Sequence, residues 1–335
     1  MGPDFRSRVK NLQIIMKRKK LDAVLISDNN DVLYYTGYSE MSDEKCMLLV
    51  TIGDDPLLMV SPLRNGVTED FENAVLLGRP KDLLNVIKPY KTIGFDEGKM
   101  SARTFIFLHK NRVKLVPSSA LIKKPMIIKE PYEIDQIRKA LKITREVLHN
   151  TPIWNRKEID VARNIKIQFL RHGVEPSFEP IVASGRNTSF VHHKPGEKII
   201  KLDDIVLLDM GCIYNGYRSD ITRMFCRRPN RQQKQILSDL KKVYMGILKS
   251  VRNGVSVKKI DDTQRNVFKK FGYKERHRFG HSVGLSVHEE IGPKIKENMV
   301  ITIEPGLYLK NDIGARLENM ILIKNKGSPD TLSKF

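Results

Sequence analysis

Apolar residues in the first third of the chain follow two different periods. From Phe5 to Lys20 they recur at helical spacing with basic residues between them, which predicts an amphipathic helix with a basic solvent face. Short apolar runs then alternate with helical stretches such as Ser101–Asn111, and Asp28 is placed to cap a short helix. The predicted strands are Leu21–Ser27, Met47–Ile52, Pro56–Val60, Thr92–Asp96 and Lys114–Ser119. This alternation predicts an α/β fold with a largely covered sheet.

The pattern changes near residues 121–130, where strand-like apolar residues lead through Pro131 into a helix. We therefore place one domain at residues 1–125 and a second at residues 126–335. The second domain mixes helices with hairpin-like strands, which indicates an α+β fold. Its further predicted helices are Lys157–His172, Gln232–Arg252 and Val257–Phe271. Its predicted strands are Ile181–Gly185, Asp204–Gly211, Tyr217–Phe225, Met299–Leu309 and Ala315–Ile323.

The composition narrows the class of protein. Of the 335 residues, 40% are hydrophobic and 29% are charged, which excludes an intrinsically disordered chain and agrees with two domains of roughly 150 residues each. No apolar run approaches the ~18 residues of a membrane helix, and the first residues lack the apolar stretch of a secretory signal. Three scattered cysteines are too few for a disulfide framework. We therefore expect a cytoplasmic protein with no membrane partner.

The charge is strongly positive, with 59 Lys and Arg against 39 Asp and Glu and a net charge of +20. Such a balance is compatible with a nucleic-acid or anionic-surface partner. However, the basic residues are spread widely, with local runs only at Lys17–Lys20 and Arg227–Lys234, and no RNA-binding or zinc-finger pattern accompanies them. We interpret the charge as a lysine-rich solvated surface, which argues against a nucleic-acid partner.

Four acidic residues lie in strand-like runs of the second domain, where burial makes a charge costly. They are Asp209, Asp220, Glu304 and Glu318. The Asn215–Gly216 turn between the first two is a strong hairpin signal, which can bring them together. Like charges share a dry site only with a cation between them, and together with His281 the four acids suit two divalent metal ions. We expect Mn²⁺ or Co²⁺ and keep Zn²⁺ or Fe²⁺ as alternatives.

Six strings of the second domain carry a family resemblance. They are SFEPIVASG (177–185), VHH (191–193), LLDMG…SDITR (207–223), GHSVGLSVHE (280–289), ITIEPGLY (301–308) and GARLEN (314–319). In this order they resemble the pita-bread metallopeptidases, which include proline dipeptidase, Xaa-Pro aminopeptidase, methionine aminopeptidase and the metal-free creatinase. The first domain resembles the creatinase-type N-terminal domain of the proline-specific members. The resemblance therefore implies a creatinase-like α/β domain followed by a pita-bread α+β catalytic domain.

The resemblance also implies a metal-binding role for each of five residues. Asp209 would chelate one ion, while His281 and Glu304 would bind the other. Asp220 and Glu318 would bridge the two ions. All five ligand types are present, which separates this chain from the metal-free creatinase branch.

Four residues take catalytic or substrate-binding roles by the same resemblance. Glu304 would pass a proton to the nitrogen of the leaving proline. His192 and His288 would hold the substrate carbonyl and stabilise the tetrahedral intermediate. Arg316 would orient the bridging acids, and we also expect it to contact substrate.

One departure from the family pattern concerns the substrate. Residues 288–304 form a short segment without arginine, although the family uses an arginine there to capture the carboxylate of the product proline. Lys294 or Lys296 could replace it as a point charge, without bidentate geometry. His193 and His277 match no motif role, and we interpret them as ordinary polar residues.

Together these features predict a proline dipeptidase with two metal ions, which acts on the Xaa-Pro bond of dipeptides. The close alternative is an Xaa-Pro aminopeptidase that acts on longer peptides. Two alternatives from other classes are a hydrolase of non-peptide amides and a non-catalytic nucleic-acid-binding protein on the same fold. The expected partner is thus a proline-containing di- or oligopeptide, and the resemblance implies a homodimer.

Overall fold

The computed structural model describes residues 2–39, 46–64 and 66–334. The chain divides into two compact units, Met1–Met126 and Ile127–Phe335, which we call the N-terminal and the C-terminal unit. Across the described ranges, no helix combines the length and the apolar character needed to cross a membrane.

A six-stranded mixed sheet forms the centre of the N-terminal unit. Its strands are β1 (Ala23–Ile26), β2 (Met47–Thr51), β3 (Leu57–Val60), β4 (Ala74–Leu76), β5 (Ile93–Phe95) and β6 (Leu115–Pro117). They lie in the order β4–β3–β2–β1–β5–β6, with β5 parallel to both β1 and β6. Every residue of β1 and β5 is buried, which is why both are continuous apolar runs.

Side chains cap the N-termini of some of the helices of this unit. The helices are α1 (Phe5–Lys19), α2 (Asn29–Thr36), α3 (Val67–Asp70), α4 (Pro80–Ile87), α5 (Ala102–Lys110) and α6 (Ser119–Lys123). The side chain of Asp28 accepts hydrogen bonds from the backbone N–H groups of Asn30 and Asp31, which confirms the predicted cap of α2. Strands and helices alternate as expected for an α/β unit.

The C-terminal unit combines four long helices with several small antiparallel sheets. The helices are α7 (Pro131–Asn150), α8 (Glu158–Arg171), α9 (Arg231–Leu248) and α10 (Val257–Lys270). The strands are β7 (Glu175–Pro176), β8 (Ile181–Ser184), β9 (Ile205–Met210), β10 (Cys212–Tyr214), β11 (Tyr217–Arg218), β12 (Ile221–Cys226), β13 (Val300–Ile303), β14 (Gly306–Tyr308), β15 (Gly314–Arg316), β16 (Asn319–Leu322) and β17 (Asp330–Thr331). The sheet orders are β12–β9–β8, β11–β10–β7, β13–β16–β17 and β14–β15.

Helices α9 and α10 cover the apolar core of this unit. Ile236 and Leu240 of α9 and Ile260 of α10 are buried together with Ile301 of β13 and Ile321 of β16. The core therefore holds β13 and β16, whose neighbouring ends carry two of the predicted site acids. This mixture confirms the α+β expectation.

The Asn215–Gly216 hairpin forms as predicted. Tyr214 and Tyr217 are paired across it, and both turn residues have positive φ, 48° and 83°. A two-residue loop of this kind matches the twist of the flanking strands. The turn joins β10 to β11.

Three predicted strands of the C-terminal unit are wrong in one respect, because each is interrupted at a site acid. Residues 217–225 form β11 and β12 with Asp220 between them, and residues 315–323 contribute to β15 and β16 with Glu318 between them. Residues 299–309 are divided into β13 and β14 at Glu304 and Pro305. Proline has no N–H to continue a ladder. A residue at such a break does not follow the alternation of side chains between the two faces of a sheet. Its carboxylate can therefore point toward the carboxylates of the other two breaks.

Candidate metal centre

Asp209 and Asp220 are brought together by the pairing of β9 with β12. Asp209 lies opposite Thr222 in this pair, and Asp220 immediately precedes β12. Gly211 permits the close approach of the two chain segments, because a Cβ at this position would overlap the carbonyl oxygen of Ser219. Both acids are more than nine-tenths buried.

Glu304 and Glu318 flank one end of the β13–β16 pair. Ile303 is paired with Asn319, so Glu304 follows one strand where Glu318 precedes the other. Glu318 is 2% exposed, and Glu304 is partly buried. The two glutamates, which are fourteen positions apart in the sequence, therefore lie at the same edge.

His281 lies close to three of these four acids. Its Nδ1 is 3.2 Å from the carbonyl oxygen of Ser282, and since a carbonyl only accepts, Nδ1 carries the proton and Nε2 is left with a lone pair. That Nε2 lies 3.3 Å from Oε1 of Glu304, 3.6 Å from Oδ2 of Asp220 and 4.0 Å from Oε1 of Glu318. The imidazole thus presents a ligand atom to three carboxylates.

The electrostatics of this cluster disfavour four free negative charges. Burial, together with the neighbouring carboxylates, raises the pKa of Asp220 and of Glu318 well above the ordinary values. Burial raises the pKa of Glu304 to about 7 and also raises that of Asp209, although Arg316 opposes the latter shift. Burial lowers the pKa of His281 to about 4, which keeps its imidazole neutral at physiological pH.

Arg316 connects Asp209 to Glu318 through Thr222. Its Nη2 donates to Oδ2 of Asp209 at 2.6 Å, and its Nε donates to Oγ1 of Thr222 at 3.1 Å. The hydroxyl of Thr222 in turn donates to Oε2 of Glu318 at 3.0 Å. One buried guanidinium therefore holds one oxygen of Asp209 directly and one oxygen of Glu318 through a hydroxyl.

The donor set fits divalent metal ions. Ligand atoms of Asp220, His281 and Glu318 all lie within 4.8 Å of one another. Among the described residues, Oδ1 of Asp209 is buried without a hydrogen-bond partner, so it is available to a cation. A metal centre needs deprotonated ligands, and the neutral imidazole offers its free Nε2 as one. The carboxylates repel one another in the absence of a cation, so a bound cation would stabilise them.

His192 and His288 are exposed at this site, in contrast to the buried acids. The ring of His288 lies 4.3 Å from that of His281, centroid to centroid. The ring of His288 is nevertheless partly desolvated by the surrounding protein, and this desolvation together with the neighbouring His192 lowers the pKa of His288. Nη1 of Arg316 donates to the carbonyl oxygen of Val191 at 3.0 Å and so holds the backbone next to His192.

His277 lies beside the site, although it belongs to none of the motifs. Its Nδ1 is 3.0 Å from the carbonyl oxygen of Arg278 and 3.9 Å from Oε2 of Glu304. Its Nε2 is 3.2 Å from the hydroxyl of Tyr308, which accepts a hydrogen bond from Arg316 at 2.8 Å. The interpretation of His277 as an ordinary polar residue did not predict this position, for which its spacing four residues before His281 was the available signal.

His193 serves as an anchor for the segment that carries His192. Its Nε2 lies 2.7 Å from Oε2 of the fully buried Glu158. Oε1 of Glu158 accepts hydrogen bonds at 2.7 Å from both the backbone N–H and the hydroxyl of Ser184. The sequence offered no pattern for this contact, because Glu158 lies 35 positions before His193.

Lys294 and Lys296 lie in a segment that pairs with the connection between α9 and α10. Ile295 between them exchanges backbone hydrogen bonds with Gly254 and Val255. Both lysines are exposed, and within the described part of the chain neither forms an ion pair. The backbone around both lysines is therefore held by the connection between α9 and α10.

The sequence matches two family models. Residues 135–325 match metallopeptidase family M24, and residues 8–124 match the creatinase/prolidase N-terminal domain. An Xaa-Pro dipeptidase of Pyrococcus horikoshii is 30% identical, with 97% of this chain and 96% of the relative covered. The crystal structure of the prolidase from P. horikoshii is similar with a TM-score of 0.90 and 29% identity over 98% of both chains. A prolidase of Thermococcus sibiricus gives a TM-score of 0.91 at 27% identity, over 100% of this chain and 98% of that one.

Proposed function

This chain belongs to metallopeptidase family M24, and we propose that it is a proline dipeptidase, which hydrolyses the Xaa-Pro bond of dipeptides with two divalent metal ions. The observation that carries the proposal is the approach of three carboxylates to Nε2 of His281, all within 4.0 Å. Relatives named Xaa-Pro dipeptidase and prolidase support this substrate class. We assign residues 1–125 to a creatinase-like N-terminal domain and residues 126–335 to the catalytic domain.

Five residues would hold the metal ions. We propose that Asp209 chelates one ion, that His281 and Glu304 bind the other, and that Asp220 and Glu318 bridge them. The unpartnered oxygen of Asp209 and the free Nε2 of His281 support these roles. Oxygen-rich ligation favours Mn²⁺ or Co²⁺, with Zn²⁺ or Fe²⁺ as alternatives.

The side chains of the site supply proton transfer and charge stabilisation. When bound, two divalent cations lower the pKa of water and polarise the scissile carbonyl. Glu304, whose Oε1 lies 3.3 Å from Nε2 of His281, would accept a proton and return it to the nitrogen of the leaving proline. His192 and His288, exposed beside the acids, would donate hydrogen bonds to the carbonyl oxygen of the substrate as it gains negative charge.

Arg316 takes a positioning role in this proposal, in place of the substrate contact expected from the sequence. It is 2% exposed, and its guanidinium donates to Thr222, Val191, Tyr308 and Asp209. A side chain so covered by protein acts on the substrate through the groups it holds. It would fix the orientation of Asp209 and of the segment that carries His192.

The experiment that tests the function is metal-dependent peptide hydrolysis. The purified protein is stripped with chelator, restored separately with Mn²⁺, Co²⁺, Zn²⁺ or Fe²⁺, and offered Met-Pro and an Xaa-Pro-containing tripeptide. We expect metal-dependent cleavage of Met-Pro and little cleavage of the tripeptide. Metal-independent turnover would favour a hydrolase of non-peptide amides. Cleavage of neither peptide by protein with two bound metal ions would overturn the proposal, and salt-dependent binding of RNA would then favour the nucleic-acid-binding alternative.

An Xaa-Pro aminopeptidase is the second candidate, and one specific observation favours it. Residues 288–304 contain no arginine to pair with the carboxylate of a dipeptide. Lys294 and Lys296 are both exposed and could supply only a point charge. Preference for the tripeptide over Met-Pro in the same assay would establish this candidate.

We further propose a homodimer in the cytoplasm. The homodimer rests on the family resemblance, and a monomeric mass by light scattering would reject it. The cytoplasmic location rests on the small number of cysteines, since a reducing compartment does not select for disulfides. Cell fractionation with detection of the protein outside the cytoplasm would contradict it.

A further inference from the structure

One loop of the C-terminal unit carries both His281 and His288. Ser282, which follows His281, and Glu289, which follows His288, exchange two backbone hydrogen bonds. Ser282 N donates to Glu289 O at 3.2 Å, and Glu289 N donates to Ser282 O at 2.9 Å. These bonds close the loop at its base and bring the two imidazole rings to 4.3 Å between centroids. The relative position of a proposed metal ligand and a proposed carbonyl-binding histidine therefore depends on this base.

Lys129 contacts both residues of that base. Its Nζ lies 2.7 Å from Oε2 of Glu289 and donates to Oγ of Ser282 at 3.0 Å. The lysine side chain is 1% exposed, and its backbone N–H is held by the carbonyl oxygen of Asn298 at 2.9 Å. An ammonium group buried to this extent is costly unless it is paired, so its place under the loop is fixed by these contacts.

The carboxylate of Glu289 also shapes the inside of the loop. Its second oxygen, Oε1, accepts a hydrogen bond from the backbone N–H of Ser286 at 3.2 Å. The same oxygen would lie 2.5 Å from a Cβ at position 284, so glycine at this position leaves room for the carboxylate where it stands. Glu289 therefore joins the turn at residues 284–286 to Lys129.

We propose that Lys129 and Glu289 are a positioning pair, which sets the geometry of the loop and thereby the separation of His281 from His288. A buried ion pair is in general a poor source of stability compared with apolar packing, whereas outer groups that orient ligands have a large effect on a metal centre. The pair acts through the loop and touches neither metal nor substrate. This inference rests on the proposed function for its kinetic consequence, and on the loop geometry alone for its effect on metal affinity.

The test compares Lys129→Met, Glu289→Gln and the double variant Lys129→Met/Glu289→Gln with the wild-type protein. Mn²⁺ affinity is measured by competition with a chelator, and the visible spectrum of the Co²⁺-loaded protein reports the ligand geometry. We expect Lys129→Met to lower Mn²⁺ affinity and kcat/KM for Met-Pro, each by about 10–100-fold, with most of the kinetic loss in kcat. Glu289→Gln keeps the shape of the side chain and its acceptor oxygen, so we expect a smaller loss of Mn²⁺ affinity and of kcat/KM. The double variant should lose no more of either than Lys129→Met, because the two residues act as a unit.

Lys139→Met is the matched control, because Lys139 forms an exposed ion pair with Asp135 at 2.8 Å, and it should leave every readout unchanged. Unchanged Mn²⁺ affinity and an unchanged Co²⁺ spectrum in Lys129→Met, or losses that add in the double variant, would overturn the proposal. If Lys129→Met does not fold, Glu289→Gln decides by the same two measurements. A wild-type protein that cleaves neither peptide overturns the proposed function only, since the metal affinity and the spectrum still test the pair.

Discussion

Replacement of Asp31 by asparagine should stabilise the protein at neutral and alkaline pH and leave its stability near pH 4 unchanged. Asp31 lies in the first turn of α2 and is 4% exposed, and its Oδ2 has no hydrogen-bond partner among the described residues. Burial and the nearby Asp28 and Asp96 raise its pKa to about 7, although Lys123 and Lys99 oppose the shift. The fold therefore contains a carboxyl group that is costly to ionise.

The size of the effect follows from the difference between the folded and the unfolded pKa. The unfolded chain releases this proton near pH 3.8, whereas the folded chain keeps it to about pH 7. Between these values the unfolded state binds fewer protons, so the free energy of unfolding falls as the pH rises and then stays constant. About three pH units at 1.36 kcal/mol each give a loss of at most about 4 kcal/mol at and above pH 7.

The assay is thermal unfolding of the full chain at several pH values between 4 and 8.5. The difference in Tm between Asp31→Asn and wild type should be near zero at pH 4, grow up to about pH 7 and reach roughly 10 °C. Asp55→Asn, an exposed acid of the same unit, removes the same charge and should show no such trend. An Asp31→Asn variant that is equally stable or less stable than wild type at pH 8 would show that the ionised carboxylate is not costly there.

Further predictions concern the metal centre. Asp220→Asn and Glu318→Gln should abolish Met-Pro hydrolysis while circular dichroism stays native; normal turnover with unchanged metal content would contradict the bridging roles. Glu304→Gln should lower kcat by at least about 100-fold, measured at full metal loading, and turnover close to wild type would remove its proton-transfer role. Mn²⁺ at about 100 times its Kd should stabilise the stripped protein by about 2.7 kcal/mol, seen as a higher Tm. Arg316→Lys should reduce kcat while retaining the charge, since a lysine lacks the planar fork that joins Asp209 to Thr222.

Several elements could be predicted because their signals are local. The amphipathic spacing of α1, the Asp28 cap of α2 and the Asn215–Gly216 hairpin each depend on residues within one or two turns of the chain. The interruption of three strands at Asp220, Glu304 and Glu318 was not predicted. Apolar residues stand on both sides of each break and suggested one continuous strand, and only Pro305 marked one of the breaks in the sequence.

The sequence by itself determined which ligand types are present and which segments form strands and helices, because side-chain chemistry and periodicity are properties of short stretches. Only the tertiary structure decided which groups surround each other: Arg316 holds Asp209 across 107 positions, and Lys129 reaches Ser282 across 153. It also placed His277 beside Glu304 and turned three strand-end carboxylates toward His281. Such contacts arise from the packing of distant segments, which no local pattern encodes. Because an unpaired buried charge is costly, each charge buried in this way requires a partner of opposite charge or a hydrogen bond.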